Sequence, residues 1–289
     1  MKKPLPKVAA VHDLSGLGRS SLMAVIPILN TKKIQVCPLP TAILSTHTGG
    51  FHHMHIRDLS DDIPPYLAHW RRLGLEFAGI YTGYLGSVRQ IDMMKEFIRW
   101  AGAAHTRIVI DPVLGDSGKL NQAFDEQMCA GMRSLVRLAD IITPNLTEAA
   151  ILLKEDYPDG ILSREQVKRW LYRLHEMGPA QVIMTGLRLD QNRVANVCYD
   201  GKKDQYYRVV SEYLPVFFPG TGDVFASVLV GDVITGKSVA RGMRDAAEFV
   251  CRCIKATLPD CQDVREGVFI ERELDWLRHG RNELKLEKF

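Results

Sequence analysis

The stretch Val8-Ala9-Ala10-Val11-His12-Asp13-Leu14-Ser15-Gly16 decides the fold. Four apolar residues form a strand-like run that ends in a polar turn. Ser20–Leu29 then reads as a helix, and Ile34–Leu39 as the next strand. Strand, helix, strand is the βαβ unit of a parallel sheet. The alternation continues outward. Further strands are expected at Phe77–Thr82, Arg107–Ile110, Ile141–Thr143 and Gln181–Met184, and Val194–Tyr199 and Gln205–Val209 flank the turn Asp200-Gly201 as a hairpin at the sheet's edge. Helices are expected at Pro64–Leu73, Ser87–Ala101, Asp125–Leu138, Thr147–Leu153, Arg164–Met177, Val224–Thr235 and Val239–Ala256, with a last one near Glu271–Arg278. The fold class is α/β, with a mainly parallel central sheet. No linker or internal repeat divides residues 1–289, so one domain is expected. Pro40–Asp62, rich in Thr, Gly and His, reads as a small lid or flap.

Composition narrows the class of function. The chain has 289 residues, 46% hydrophobic and 25% charged, which excludes disorder, collagen and coiled coil. That length buries roughly 75% of the unfolded surface, so the core needs no disulfide or structural metal. A net charge of +3 makes no electrostatic case for nucleic acid as a partner. Cys37, Cys129, Cys198, Cys251, Cys253 and Cys261 show no CxxC pair or zinc spacing. The N-terminal charges lead straight into a strand with no apolar leader, and no apolar run approaches a membrane span. These features read as a cytoplasmic protein with reduced thiols.

In parallel sheets, ligands gather beyond the carboxyl ends of the strands. The residues there are His12-Asp13-Leu14-Ser15-Gly16, Tyr81-Thr82-Gly83-Tyr84, Asp111-Pro112, Thr143-Pro144-Asn145 and Thr185-Gly186. Each is an ordinary turn on its own. Together they suit a phosphate-bearing, metal-dependent ligand. Phe217-Phe218-Pro219-Gly220-Thr221-Gly222-Asp223 opens an apolar helix. Its glycines let successive N–H groups turn toward one point, and a helix N-terminus adds positive potential, which together form an anion cradle. Asp223 at its edge is suited to accept a proton from an attacking hydroxyl. A capping aspartate after a glycine turn is the structural alternative.

Gly220-Thr221-Gly222-Asp223 resembles the catalytic signature of the ribokinase-like superfamily. Leu44-Ser45-Thr46-His47-Thr48-Gly49-Gly50, Thr82-Gly83-Tyr84-Leu85-Gly86-Ser87, Asp111-Pro112-Val113-Leu114-Gly115-Asp116 and Ile142-Thr143-Pro144-Asn145-Leu146-Thr147-Glu148 are similar to segments of the pyridoxal (vitamin B6) kinases. The likeness runs from about Lys7 to about Leu258. It implies a ribokinase-like three-layer sandwich and ATP-dependent phosphorylation of the 5′-hydroxymethyl group of pyridoxal, pyridoxine or pyridoxamine. Asp223 would be the base, and Gly220, Thr221 and Gly222 the anion hole. Asp116, Asn145, Glu148, Thr185, Gly186, Thr221 and Gly222 match ATP positions. Asp116 and Glu148 match Mg²⁺ positions, and Asp111, Thr143 and Thr185 surround a monovalent cation, K⁺ or Na⁺, in some relatives. His12, Asp13, Ser15, His47, Thr48 and Tyr84 fall at the substrate, and relatives are often homodimers.

The first strand departs from the pyridoxal kinase pattern. Val11-His12-Asp13-Leu14-Ser15-Gly16 is closer to the Asp-Pro-Ser-Gly segment of hydroxymethylpyrimidine kinases, so a pyrimidine is the alternative substrate. A non-catalytic vitamer or nucleotide sensor is a third reading, against which the intact Asp223 stands. His47, His52, His53 and His55 lack an HExxH frame and read as lid residues. Ser15-Gly16-Leu17-Gly18-Arg19-Ser20 lacks the third glycine of a dinucleotide fingerprint, and no Walker motif occurs. Cys251, Cys253 and Cys261 read as packing on or near the helix Val239–Ala256, and without a histidine partner nearby in the pattern they do not read as catalytic thiols. Arg164, Lys168, Arg169 and Arg173 read as a solvated helix face.

Overall fold

The structure is a computed structural model and describes residues 4–289. Residues 1–3, part of the N-terminal segment read above, lie outside the described residues. In chain order the elements are β1 (Lys7–Ser15), α1 (Ser21–Thr31), β2 (Gln35–Leu44), β3 (Ile56–Asp58), α2 (Ile63–Arg72), β4 (Gly79–Thr82), α3 (Val88–Ala101) and β5 (Arg107–Ile110). They continue as β6 (Gly115–Asp116), β7 (Lys119–Leu120), α4 (Glu126–Val136), β8 (Ile141–Ile142), α5 (Leu146–Leu153), α6 (Arg164–Glu176), β9 (Gln181–Arg188), β10 (Arg193–Asp200) and β11 (Gln205–Glu212). The last are α7 (Thr221–Ile234), α8 (Val239–Thr257), α9 (Trp276–His279) and β12 (Leu286–Lys288).

One ten-stranded sheet runs in the order β12-β11-β10-β9-β8-β5-β4-β1-β2-β3, and β6 and β7 form a separate small hairpin. The pairings from β2 through β1, β4, β5 and β8 to β9 are all parallel, and those outside them are antiparallel. Alternation along each strand sends its side chains to two cores. Ala9 and Val11 join one core with α2 to α6, while Val8 and Ala10 join the other with α1, α7 and α8. Apolar helices on both faces explain why the parallel strands read as continuous hydrophobic runs. This is the three-layer α/β sandwich expected from the sequence.

Three expectations are corrected. The hairpin of β10 and β11 is not the edge, because β12 pairs with β11 through Tyr207, Arg208 and Val209. The stretch Pro40–Asp62 is not wholly a flap: Pro40–Leu44 finishes β2, and Ile56–Asp58 returns as β3. The helix near Glu271–Arg278 is instead a 3₁₀ turn at Ile270–Arg272 followed by the single-turn α9. The six cysteines are free. No described helix is long and apolar enough to cross a membrane.

Candidate active site

The helix α7 begins without a side-chain cap. Its N-cap is Gly220, at φ 85°, where a Cβ would lie 2.3 Å from the Arg19 carbonyl oxygen. Glycine therefore both permits the left-handed turn and lets the segment before α1 come close. The first N–H groups of α7 have no intrahelical acceptor, and a Cβ at Gly222 would meet open space. Asp223 sits in this first turn, its side chain 14% exposed. Its Oδ2 accepts from the Ser21 N–H at 2.9 Å. Its Oδ1 lies 3.8 Å from His12 Nδ1, beyond hydrogen-bond distance.

Across the sheet, α5 starts in the opposite manner. Asn145 and Glu148 form a reciprocal capping box: the Asn145 side chain accepts from the Glu148 N–H at 2.9 Å, and Glu148 accepts from the Asn145 N–H at 2.8 Å. The other Glu148 oxygen accepts from the Leu114 N–H, and the Asn145 amide donates to the Gly115 carbonyl. Asn145 also forms a parallel bridge with Thr185. The helix start, the Gly115 turn and the middle of β9 are thus tied together, and Thr185-Gly186 lies within β9 rather than after it as expected. Thr143 donates to Asp111 Oδ1 at 2.8 Å, and Gly186, at φ 67°, donates its N–H to Asn196. Asp116, on the exposed β6–β7 hairpin, accepts from the Ser117 N–H.

The third part of the site is the end of β1. The pairing with β2 slips by one residue between His12 and Leu14, which frees Asp13 from the regular register. Asp13 is 6% exposed and accepts from Ser15 Oγ at 2.9 Å and from Ser21 Oγ. Ser15 is fully buried and His12 lies behind the site, edge-on to Tyr81, with both ring nitrogens lacking partners. Gly83 makes the room, since a Cβ there would meet the His12 ring at 2.3 Å. Tyr84 stacks on Phe124 with centroids 5.9 Å apart. His47 is buried with both nitrogens engaged: Nδ1 accepts from the Gly49 N–H, so Nε2 donates to the Arg265 carbonyl at 2.6 Å. Thr48, His52, His53 and His55 are exposed.

Comparison with known proteins supplies the class. The phosphomethylpyrimidine kinase family model matches residues 34–265. The chain belongs to the phosphomethylpyrimidine kinase family. A Bacteroides thetaiotaomicron protein named as a phosphomethylpyrimidine kinase, solved with pyridoxal, is 42% identical with a TM-score of 0.95, over 99% of this chain and 100% of that one. A Lactobacillus plantarum pyridoxal kinase structure is 30% identical with a TM-score of 0.86, over 94% of this chain and 96% of that one. A hydroxymethylpyrimidine/phosphomethylpyrimidine kinase of Aquifex aeolicus is 23% identical over 83% of this chain and 84% of its own length. This family member therefore has the ribokinase-like fold of the pyridoxal kinases and is a phosphotransferase with an alcohol acceptor.

Electrostatics distinguish the acids of this kinase. Burial pushes Asp223 up to about 8, with Asp111 and Asp13 adding repulsion and the Ser21 N–H acting the other way. Burial raises Asp111 to about 6, and burial then Asp111 raise Glu148 well above the carboxylate range. Burial lowers His12 to about 3, so the ring is neutral. Among the described residues no three His, Cys, Asp or Glu side chains form a ready metal cage. Mg²⁺ held by one or two carboxylates, waters and substrate phosphates needs no such cage, and a cation would relieve the repulsion that Asp111 and Asp116 place on Glu148. Ser21 and Phe124 were not foreseen. Ser21 had one available signal, its place beside the first helix's cap.

Proposed function

We propose that the chain is a single kinase domain that transfers the γ-phosphoryl group of ATP to the hydroxymethyl group of a vitamin B6 vitamer, giving the 5′-phosphate. The observation that carries this is Asp223, with one oxygen held by Ser21 and the other without a hydrogen bond at the mouth of an uncapped helix. The acceptor oxygen forms the new bond to phosphorus as the bond to the ADP oxygen breaks. Its proton passes to Asp223 Oδ1. The free N–H groups of Thr221 and Gly222 are suited to charge on the transferring group. Asp116 and Glu148 would hold Mg²⁺, which neutralises phosphate charge when bound. The Tyr84–Phe124 pair offers an aromatic wall for a flat ring, and Asp13 a buried acceptor for a ring or substituent donor. The pyridoxal bound by the Bacteroides relative supports a pyridine acceptor.

A hydroxymethylpyrimidine acceptor is the second reading. It is favoured by Asp13, a carboxylate at the irregular end of β1 suited to an amino group. The test is a phosphoryl-transfer assay with ATP, Mg²⁺ and, separately, pyridoxal, pyridoxine, pyridoxamine and hydroxymethylpyrimidine. Phosphorylated pyridine products are expected. Product from the pyrimidine alone replaces the first reading by the second. Ligand binding without any product makes the protein a sensor.

A further inference from the structure

Ser21 joins two carboxylates carried by different elements. Its N–H donates to Asp223 on α7 at 2.9 Å, and its hydroxyl donates to Asp13 on β1. The residue is 6% exposed. Its φ of 50° is left-handed, a region that residues with a Cβ hold only when the surroundings compel it. The compulsion is visible on both sides. The hydroxyl is anchored by Asp13, and the neighbouring backbone at Arg19 and Ser20 packs on Gly220, where a Cβ would come within 3.1 Å of the Ser20 Cα.

We propose that Ser21 is a positioning residue for phosphoryl transfer, holding Asp223 Oδ2 so that Oδ1 alone receives the acceptor's proton, and tying that orientation to Asp13. The proposal rests on the reading of Asp223 as the base. Four titratable side chains bear on Asp223: His12, Asp13, Tyr81 and Asp111. The two acids disfavour its charge, and His12 is neutral. The Ser21 N–H favours the charged form, so misplacing it raises the pH at which the base becomes available.

Two variants separate this role from simple packing. Ser21→Ala keeps the N–H but loses the hydroxyl anchor while retaining the unfavourable φ. Ser21→Gly also loses the anchor but adopts that φ freely. With ATP, Mg²⁺ and pyridoxal, Ser21→Ala is expected to lower kcat on the order of 10- to 100-fold, with little change in the KM for ATP. The rising limb of its kcat/KM profile should move up by about one pH unit. Ser21→Gly should return that limb toward the parent while the KM for pyridoxal is raised in both variants, because Asp13 loses the Ser21 hydroxyl in both and keeps only that of Ser15. Equal losses in both variants with an unmoved limb overturn the proposal. Absence of turnover in the parent protein with every acceptor overturns the base reading instead. Ser21 is then judged without catalysis, by urea unfolding across pH with and without Asp223→Asn. A higher Asp223 midpoint in Ser21→Ala supports the positioning role, and an unchanged one overturns it.

Discussion

The starts of α5 and α7 both lie beyond the carboxyl end of the parallel strands, and each has a carboxylate in its first turn, yet they are built oppositely. At α5, Asn145 and Glu148 satisfy each other's backbone groups, and Leu114 and Gly115 take up what remains. At α7, the cap is a glycine with no side chain, and Asp223 bonds outward to Ser21 rather than to its own helix. Both termini have the same partial positive charge. One has its terminal N–H groups taken up by its own capping box, and the other leaves them open toward a ligand. A helix N-terminus is thus a structural joint or an anion site according to who caps it.

Swapping the qualities of the two termini tests this contrast. The largest effect is expected at the open end, where Asp223→Asn should lower turnover on the order of 10²–10⁴ while nucleotide affinity, measured by calorimetry, stays close to the parent value. Near-normal turnover would remove Asp223 from the base role. Gly220→Ala adds a Cβ at a left-handed φ against the Arg19 carbonyl, and should cost about 1–3 kcal/mol in chemical unfolding as well as activity. At the closed end, Asn145→Ala should cost about 1 kcal/mol, with a smaller kinetic effect than any change at Asp223.

The pH dependence follows from the same difference. Asp223 releases its proton near 3.8 when unfolded and near 8 when folded, so between these values the folded state binds more protons. Its contribution is present at low pH and is lost as pH rises through that window. Asp223→Asn should therefore gain stability relative to the parent between pH 5 and about 8.5, as read by urea unfolding. A constant difference across pH would place Asp223 at an ordinary carboxylate value. The rate of the parent enzyme should rise with pH toward about 8 for the same reason.

The layered α/β plan was legible because Val8–Val11, Ile108–Ile110 and Val182–Met184 are buried on both faces, and burial writes apolar runs into the sequence. β3, β6, β7 and β12 were not, since two- and three-residue strands, mostly exposed, leave no alternation to read. The second half of β2 was hidden by Pro40. It sits opposite His12 of β1 where β3 has not yet begun, so the missing N–H costs no ladder bond on that side. At the site, the glycine turn that opens α7 was legible because glycine spacing reports directly on backbone conformation. His12, Ser15 and His47 drew attention by type, but their placement depends on packing: the first lies behind the site, the second serves Asp13, and the third locks a loop. Ser21 carried only its place beside the first helix's cap, because its importance comes from a φ angle and from a partner 202 residues away in the chain.

That last point bears on how the molecule folds. The contact of Ser21 with Asp223 spans 202 residues, that of His47 with Arg265 spans 218, and that of Arg19 with Glu271 spans 252. The βαβ units, by contrast, close over neighbouring segments. Loop-closure entropy makes distant contacts the slowest to be rewarded. The catalytic centre is therefore expected to consolidate last in refolding, after the sheet has assembled, so that a probe at Arg265 recovers later than Trp170 in the core. A nascent chain lacking its final quarter would hold most of the sheet and the α5 side of the site, but not Asp223 or the helix that carries it.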